Sequence, residues 1–205
     1  MKIAIIGTGN VGGALATKWA QKGHEINLGV RDTDNFKGKE LLNNPNTKVY
    51  LIAEAVKISD IILLATPALQ TIEVVKMLGD TTGKIIIDSM NIIMGKGPIG
   101  YTNTTLAIIE NTQTQDVVKC FNTTGFNNMQ NPIYNQTAID LFVAGNSTKG
   151  KETAIQLAKD AGIENCYSIG GNDKFDLMEQ FAWFWINLAM FQGQGREIGF
   201  KLFKR

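Results

Sequence analysis

The stretch Lys2-Ile3-Ala4-Ile5-Ile6-Gly7-Thr8-Gly9-Asn10-Val11-Gly12 decides the fold, because a short apolar run breaks into three spaced glycines and then into a helical pattern reaching Gln21. Gly23-His24 turns the chain, and Glu25-Ile26-Asn27-Leu28-Gly29-Val30 reads as the next strand. Strand, glycine-rich turn, helix and strand together form the fingerprint of a dinucleotide-binding βαβ unit. Each glycine has its own reason: Gly7 for the tight bend, Gly9 for close approach of backbone to a pyrophosphate, and Gly12 for packing helix on strand. A helix starting near Asn10 and Val11 aims its free amide groups at the phosphates. Thr8 sits in the same turn.

The end of the second strand discriminates between cofactors. An NAD site normally places Asp or Glu there for the ribose 2′-hydroxyl, whereas Arg31 supplies a guanidinium suited to a 2′-phosphate. NADP(H) is therefore expected. Asp32 follows at once and opposes that reading, and Lys37 is a candidate second cation.

Working outward, the pattern alternates strand and helix. A loop with a short helix spans Asn35 to Asn46, a modest strand Lys48 to Ile52, and a short helix Ala53 to Ile58. Asp60 to Ala65 is continuously apolar after its first residue, as a parallel strand covered on both faces should be. A helix from Ala68 to Leu78 follows, then strand Lys84 to Asp88, helix Thr105 to Glu110, and strands Val117 to Phe121 and Ile139 to Ala144. This order predicts an α/β fold, a Rossmann-type doubly wound parallel sheet. Residues 1–148 are assigned to the nucleotide-binding domain and 149–205 to a small C-terminal helical segment. In the latter, Lys149 to Ala161 reads as an amphipathic helix, Asn165 to Ile169 as an edge strand, and Phe175 to Phe191 as a long aromatic helix to be buried under the sheet or against a second subunit.

Composition narrows the class. At 205 residues with net charge +1 and 19% charged residues, the chain has no basic surface for nucleic acid. Its first apolar run is too broken for a signal peptide or membrane span, so a cytoplasmic protein without a membrane partner is expected. Cys120 and Cys166 read as buried free thiols, and the Lys201 to Arg205 tail as solvated.

In open α/β sheets the ligand lies beyond the carboxyl ends of the strands. Those ends read Ala65-Thr66-Pro67-Ala68, Asp88-Ser89-Met90-Asn91 and Phe121-Asn122-Thr123-Thr124. They are small or amide-bearing, with Asn91 and Asn122 able to hold a carboxamide, and none shows an obvious acid–base pair. The single histidine, His24, falls in a turn on the opposite edge and reads as a surface residue. No metal cluster or nucleophile can be assembled, so no catalytic residue and no metal site is assigned. A reaction that runs on proximity, hydride transfer between two redox rings, suits such a rim.

Met1 to Arg31, Asp60 to Pro67, Val117 to Thr124 and Gln192-Gly193-Gln194-Gly195-Arg196-Glu197-Ile198-Gly199-Phe200-Lys201 together resemble the NADPH-dependent reductases of the deazaflavin coenzyme F-420. The chain departs from the family at Val30, where Ser is frequent, and at Ile92, where Pro is frequent; at Phe121-Asn122-Thr123-Thr124 it differs from the archaeal reductases and so resembles a broader bacterial branch. The resemblance implies NADPH near Thr8, Asn10 and Arg31, with Ala65, Thr66, Asn91 and Asn122 nearer the nicotinamide. It also implies a deazaflavin or flavin as small redox acceptor, and a homodimer whose C-terminal segment helps form the acceptor site. Two other readings stay open: a small hydroxyacid or imino-acid dehydrogenase, and a non-catalytic NADPH-binding sensor.

Overall fold

The computed structural model describes residues 1–205. β1 (Lys2–Ile6), α1 (Asn10–Gln21) and β2 (Glu25–Val30) form the opening βαβ unit, followed by β3 (Thr47–Leu51), α2 (Ile52–Lys57), β4 (Ile61–Leu64) and α3 (Thr71–Met77). Next come β5 (Ile85–Asp88), α4 (Thr104–Glu110), β6 (Val117–Cys120), α5 (Phe126–Gln130), and a two-stranded hairpin of β7 (Ile133–Tyr134) and β8 (Thr137–Ala138). β9 (Asp140–Ala144), α6 (Thr148–Asp160), β10 (Asn165–Ser168) and α7 (Phe175–Ile186) complete the chain, with a π-helical turn over Asn187–Phe191. No helix is long and apolar enough to cross a membrane.

The eight-stranded sheet runs β10-β9-β6-β5-β4-β1-β2-β3. Strand order reverses between β1 and β4, which opens the crevice in which such sheets hold ligands. Side chains alternate across the pleat. Ile3 and Ile5 therefore join Trp19, Leu28 and Leu157 under α1 and α6. Ala4 and Ile6 join Ile62, Leu64 and Ile86 on the other face, with Ala55, Val74 and Ile108 of α2, α3 and α4. Helices on both faces explain why these strands are apolar at every position.

The expected doubly wound Rossmann-type sheet is present with one antiparallel pairing, and two further expectations need correction. The sheet is not wholly parallel: β9 pairs antiparallel with β6, because the short α5 and the β7–β8 hairpin return the chain on the far edge, and β10 then pairs parallel with β9. His24 is buried, its Nε2 2.8 Å from Asp160 Oδ2 and its Nδ1 3.2 Å from the N-terminal amine, so it joins the first turn to α6. The Lys201 end of the tail is also engaged. Lys201 Nζ donates to Asp140 Oδ1 (2.9 Å), Leu202 N to Asp140 Oδ2 (2.8 Å), and Asp140 N to the Phe200 carbonyl (2.9 Å). Burial alone would raise the Asp140 carboxyl, but these donors prevail and hold it below the usual carboxylate range.

Cys120 and Cys166 are buried free thiols with Sγ atoms 3.8 Å apart. They lie on β6 and β10, on either side of β9.

The aromatic helix is buried on one face only. Phe175, Met178, Ala182 and Trp185 point inward, whereas Leu177, Trp183 and Phe184 are exposed. Its inward face also carries an ion cluster. Lys119 Nζ, fully buried in β6, donates to Asp88 Oδ2 of β5 (3.0 Å) and to the Met90 carbonyl (2.8 Å), and lies 2.9 Å from Glu179 Oε1 of α7. Thr104 and Thr105 hydroxyls donate to Asp88 Oδ2 at 2.6 and 2.7 Å. Burial pushes the Lys119 ammonium down, but Asp88 and then Glu179 outweigh it, leaving the group above the ordinary lysine value.

A raised ammonium contributes stability that is complete below its unfolded value of about 10.4 and disappears as pH rises through its folded value. Lys119 should thus contribute no change in stability between pH 6 and 9. Lys119→Met strands two buried carboxylates and is expected to destabilise by about 3–5 kcal/mol. A urea midpoint unchanged in Lys119→Met would contradict this.

Candidate functional site

The site begins with what three glycines leave out. Gly7 has φ +102°, and a Cβ there would meet the Ala65 carbonyl oxygen at 2.5 Å, so β1 and β4 close tightly at the crevice floor. A Cβ on Gly12 would come within 1.9 Å of the Gly7 carbonyl oxygen, so α1 rests directly on the turn. Gly9 differs: nothing lies within 4 Å of its missing Cβ. It caps α1 with no side-chain hydrogen bond, and the first turn of the helix carries no acid. The opening amides of α1 therefore face open space without a competing acceptor, an arrangement that fits a pyrophosphate.

From this cradle a groove runs along the strand ends in three connected hollows. The first, about 560 Å³, is lined by Gly7, Thr8, Gly9, Arg31, Ala65 and Thr66 among others. The second, about 460 Å³, shares Ala65, Thr66 and Pro67 with it and adds Val11, Ser89, Asn91 and Lys96. The third, about 450 Å³, shares Val11, Asn91 and Ile93 with the second and adds Asn10, Asn122, Phe126, Trp185 and Arg196. Sequence-predicted residues from Gly7 to Asn122 thus fall along one groove. Gly12 alone lines none of it, since its place is in packing.

Details refine several assignments. The Thr8 hydroxyl donates to the Lys37 carbonyl, which ties the glycine turn to the loop after β2. Arg31 lies at the outer end of the first hollow, two-thirds exposed, 3.8 Å from Glu73 Oε1. Asp32 and Lys37 line the same hollow, so its four charges balance. Asn91 Nδ2 donates to the Asn122 carbonyl (2.7 Å), and Asn122 Nδ2 donates to Asn91 Oδ1 (2.9 Å). Asn122 Oδ1 is buried with no partner. The preceding Phe121 adopts φ +64°, rare for a bulky residue, while its ring packs edge-on to Trp19 at 5.6 Å. That local strain turns Asn122 out of the strand and into the groove rim.

Behind the strand ends lies a buried Asp88–Lys119 ion pair that the sequence reading did not assemble. The two residues are register partners across β5 and β6. The pair is sealed from the groove, and its role is structural support: Glu179 Oε2 accepts the Ile92 amide at 2.8 Å, which fixes the Asn91 loop to α7. A lysine within an otherwise apolar strand, with one neighbouring strand ending in Asp, was the available signal. Glu73, Phe126, Trp185 and Arg196 were not assigned to the site from sequence, because only folding brings them to the groove.

Comparison with known proteins bears on the fold and on the N-terminal half of the chain. Residues 2–92 match the family described as NADP oxidoreductase, coenzyme F-420-dependent. An NAD(P)-dependent glycerol-3-phosphate dehydrogenase from Leuconostoc citreum is 34% identical over a stretch covering 41% of this chain, and the match spans only 28% of that enzyme's length. A candidate F-420-dependent NADP-reductase from an Arthrobacter species superposes over 100% of both chains with TM-score 0.87 and 25% identity. An imine reductase from Streptomyces aurantiacus, at 14% identity, shares the fold alone, with TM-score 0.69 over 94% of this chain and 64% of its own.

The contrast between glycines gives a test. Gly9→Ala should leave stability within about 0.5 kcal/mol, because its Cβ meets nothing, yet weaken dinucleotide binding at least about tenfold by filling the cradle. Gly12→Ala should destabilise by about 1–3 kcal/mol through overpacking. Denaturation midpoints together with NADP+ titration separate the two effects, and equal destabilisation by both would contradict the assignment.

Proposed function

We propose that this chain, which over residues 2–92 carries the signature of the coenzyme F-420-dependent NADP oxidoreductases, transfers hydride between NADP(H) and a flat redox acceptor of the deazaflavin or flavin class. The observation that carries the reading is the continuous groove from Arg31 past the α1 N-terminus to Asn122. Its first two hollows suit a dinucleotide, and the third adjoins them where a second ring could meet the nicotinamide.

Bound NADPH supplies a hydride from its nicotinamide ring. The protein's part is placement. The free amides at Asn10 and Val11 hold the pyrophosphate, and Arg31 holds the 2′-phosphate after giving up its long contact with Glu73. Ala65 and Thr66 floor the middle of the groove. Asn91 and Asn122, each tied to the other, orient the carboxamide end, and the orphan Asn122 Oδ1 accepts an N–H from a bound ring. Around Asn91 the second and third hollows present amides, hydroxyls and apolar groups, with Lys96 and Arg196 as their charged members. Such a lining fits direct transfer between rings held about 3–3.5 Å apart, which needs no proton relay through the protein.

Anaerobic mixing with NADPH and a deazaflavin should oxidise NADPH, and no turnover with any deazaflavin, flavin or ferric chelate would contradict the proposal. Arg31→Ala should weaken NADPH relative to NADH by about 1.5 kcal/mol, the low end for a charge-assisted bond because Arg31 is exposed. Glu73→Gln should tighten NADPH up to about fivefold by removing the competing carboxylate. Equal effects on both cofactors would show that neither residue reads the phosphate.

A further inference from the structure

The third hollow has a composition of its own. Trp185 and Phe126 give it aromatic walls, and Arg196 is its one charged lining residue. The Arg196 guanidinium lies 5.3 Å from the Phe126 ring centre and 6.0 Å from that of Trp185. Its hydrogen-bond partners are neutral: Nε donates to Asn127 Oδ1 at 3.3 Å, and Nη1 approaches Met190 Sδ at 3.5 Å. No carboxylate lies within ion-pair distance, whereas Arg31, Lys119, Lys174 and Lys201 each have at least one. At the inner end, buried Asn122 Oδ1 stands without a donor.

The arginine is also held in place. The tail carrying it is fixed on its C-terminal side at the Ile198 carbonyl, which accepts from Trp185 Nε1 (2.8 Å) and Asn128 Nδ2 (2.6 Å), and beyond that at Asp140. On its N-terminal side the amide of Gln194 donates to the Leu188 carbonyl at 3.1 Å. The Arg196 guanidinium is exposed on its outer side and lies over two aromatic faces, which restrict its positions and so lower the entropy lost when it binds an anion.

Resting on the hydride-transfer reading above, in which this hollow takes the acceptor, we propose that Arg196 is the specificity-determining residue, selecting an acceptor whose flat ring system bears negative charge at its outer edge. Asn122 Oδ1 takes an N–H of the same ring system at the inner edge, or that of the carboxamide beside it. In the step served, the C–H bond at the nicotinamide C4 breaks with both electrons and a new bond to hydrogen forms on the acceptor ring. NADPH becomes NADP+, the acceptor is reduced by two electrons, and solvent supplies the proton that the reduced ring takes up. The anionic edge is not consumed, so Arg196 binds and orients it and takes no part in the bond changes.

The test uses two probes that differ by one ionisable group, 8-hydroxy-5-deazariboflavin as its ring anion and neutral 5-deazariboflavin. Binding of each to the NADP+-loaded full chain is read by quenching of tryptophan fluorescence, and transfer from NADPH is read separately. The native chain should bind the anion at least tenfold more tightly, Arg196→Gln should bring the ratio near one, and Arg196→Lys should keep part of it. Equal affinity of the native chain for both probes, binding of neither, or equal loss of both in Arg196→Gln would overturn the proposal. Failure of NADP+ itself to bind would instead overturn the cofactor reading.

Discussion

The contact between Gly12 and the Gly7 carbonyl is the constraint on which the site depends. A helix can start at Asn10 and point its amides into the crevice only if it lies directly against the turn that ends β1, and any side chain at residue 12 would lift it away. The same turn needs φ +102° at Gly7 to pass under the end of β4. Two local facts, a positive φ and an absent Cβ, therefore set both the direction of the helix dipole and the floor of the groove.

A second constraint acts at the other end. The Lys119 ammonium is out of water, and its burial is tolerable because Asp88, Glu179, the Met90 carbonyl and Thr104 surround it. Those partners belong to β5, the segment just after it, the start of α4, and α7. Satisfying one charge thus ties together the Asn91 loop, the strand end before Asn122, and the helix that carries Trp185. The groove gains rigid walls at the junction where two rings would have to meet, a requirement for transfer that relies on placement alone.

Much of this was legible in the sequence because the fingerprint is local. Gly7, Gly9 and Gly12 take their conformations from neighbours a few residues away, and the apolar strands announce a sheet covered on both faces. What escaped depends on long-range closure. The antiparallel β9 follows from a short helix and a hairpin whose patterns are too brief to read. His24 looked like a surface turn because its partner, Asp160, lies 136 residues away. Asp88 and Lys119 each looked unremarkable until their strands were paired. Arg196 sits in a glycine-rich tail, and sequence alone did not bring it back over Phe126.

The position of a bound dinucleotide carries the functional reading. A crystal structure with NADP+ bound tests it most directly. The 2′-phosphate should lie on Arg31, the pyrophosphate on the amides of Asn10 and Val11, and the nicotinamide between Thr66 and Asn91 with one face open to the Trp185 hollow. A nicotinamide buried elsewhere, or a pyrophosphate that does not meet the α1 N-terminus, would contradict it.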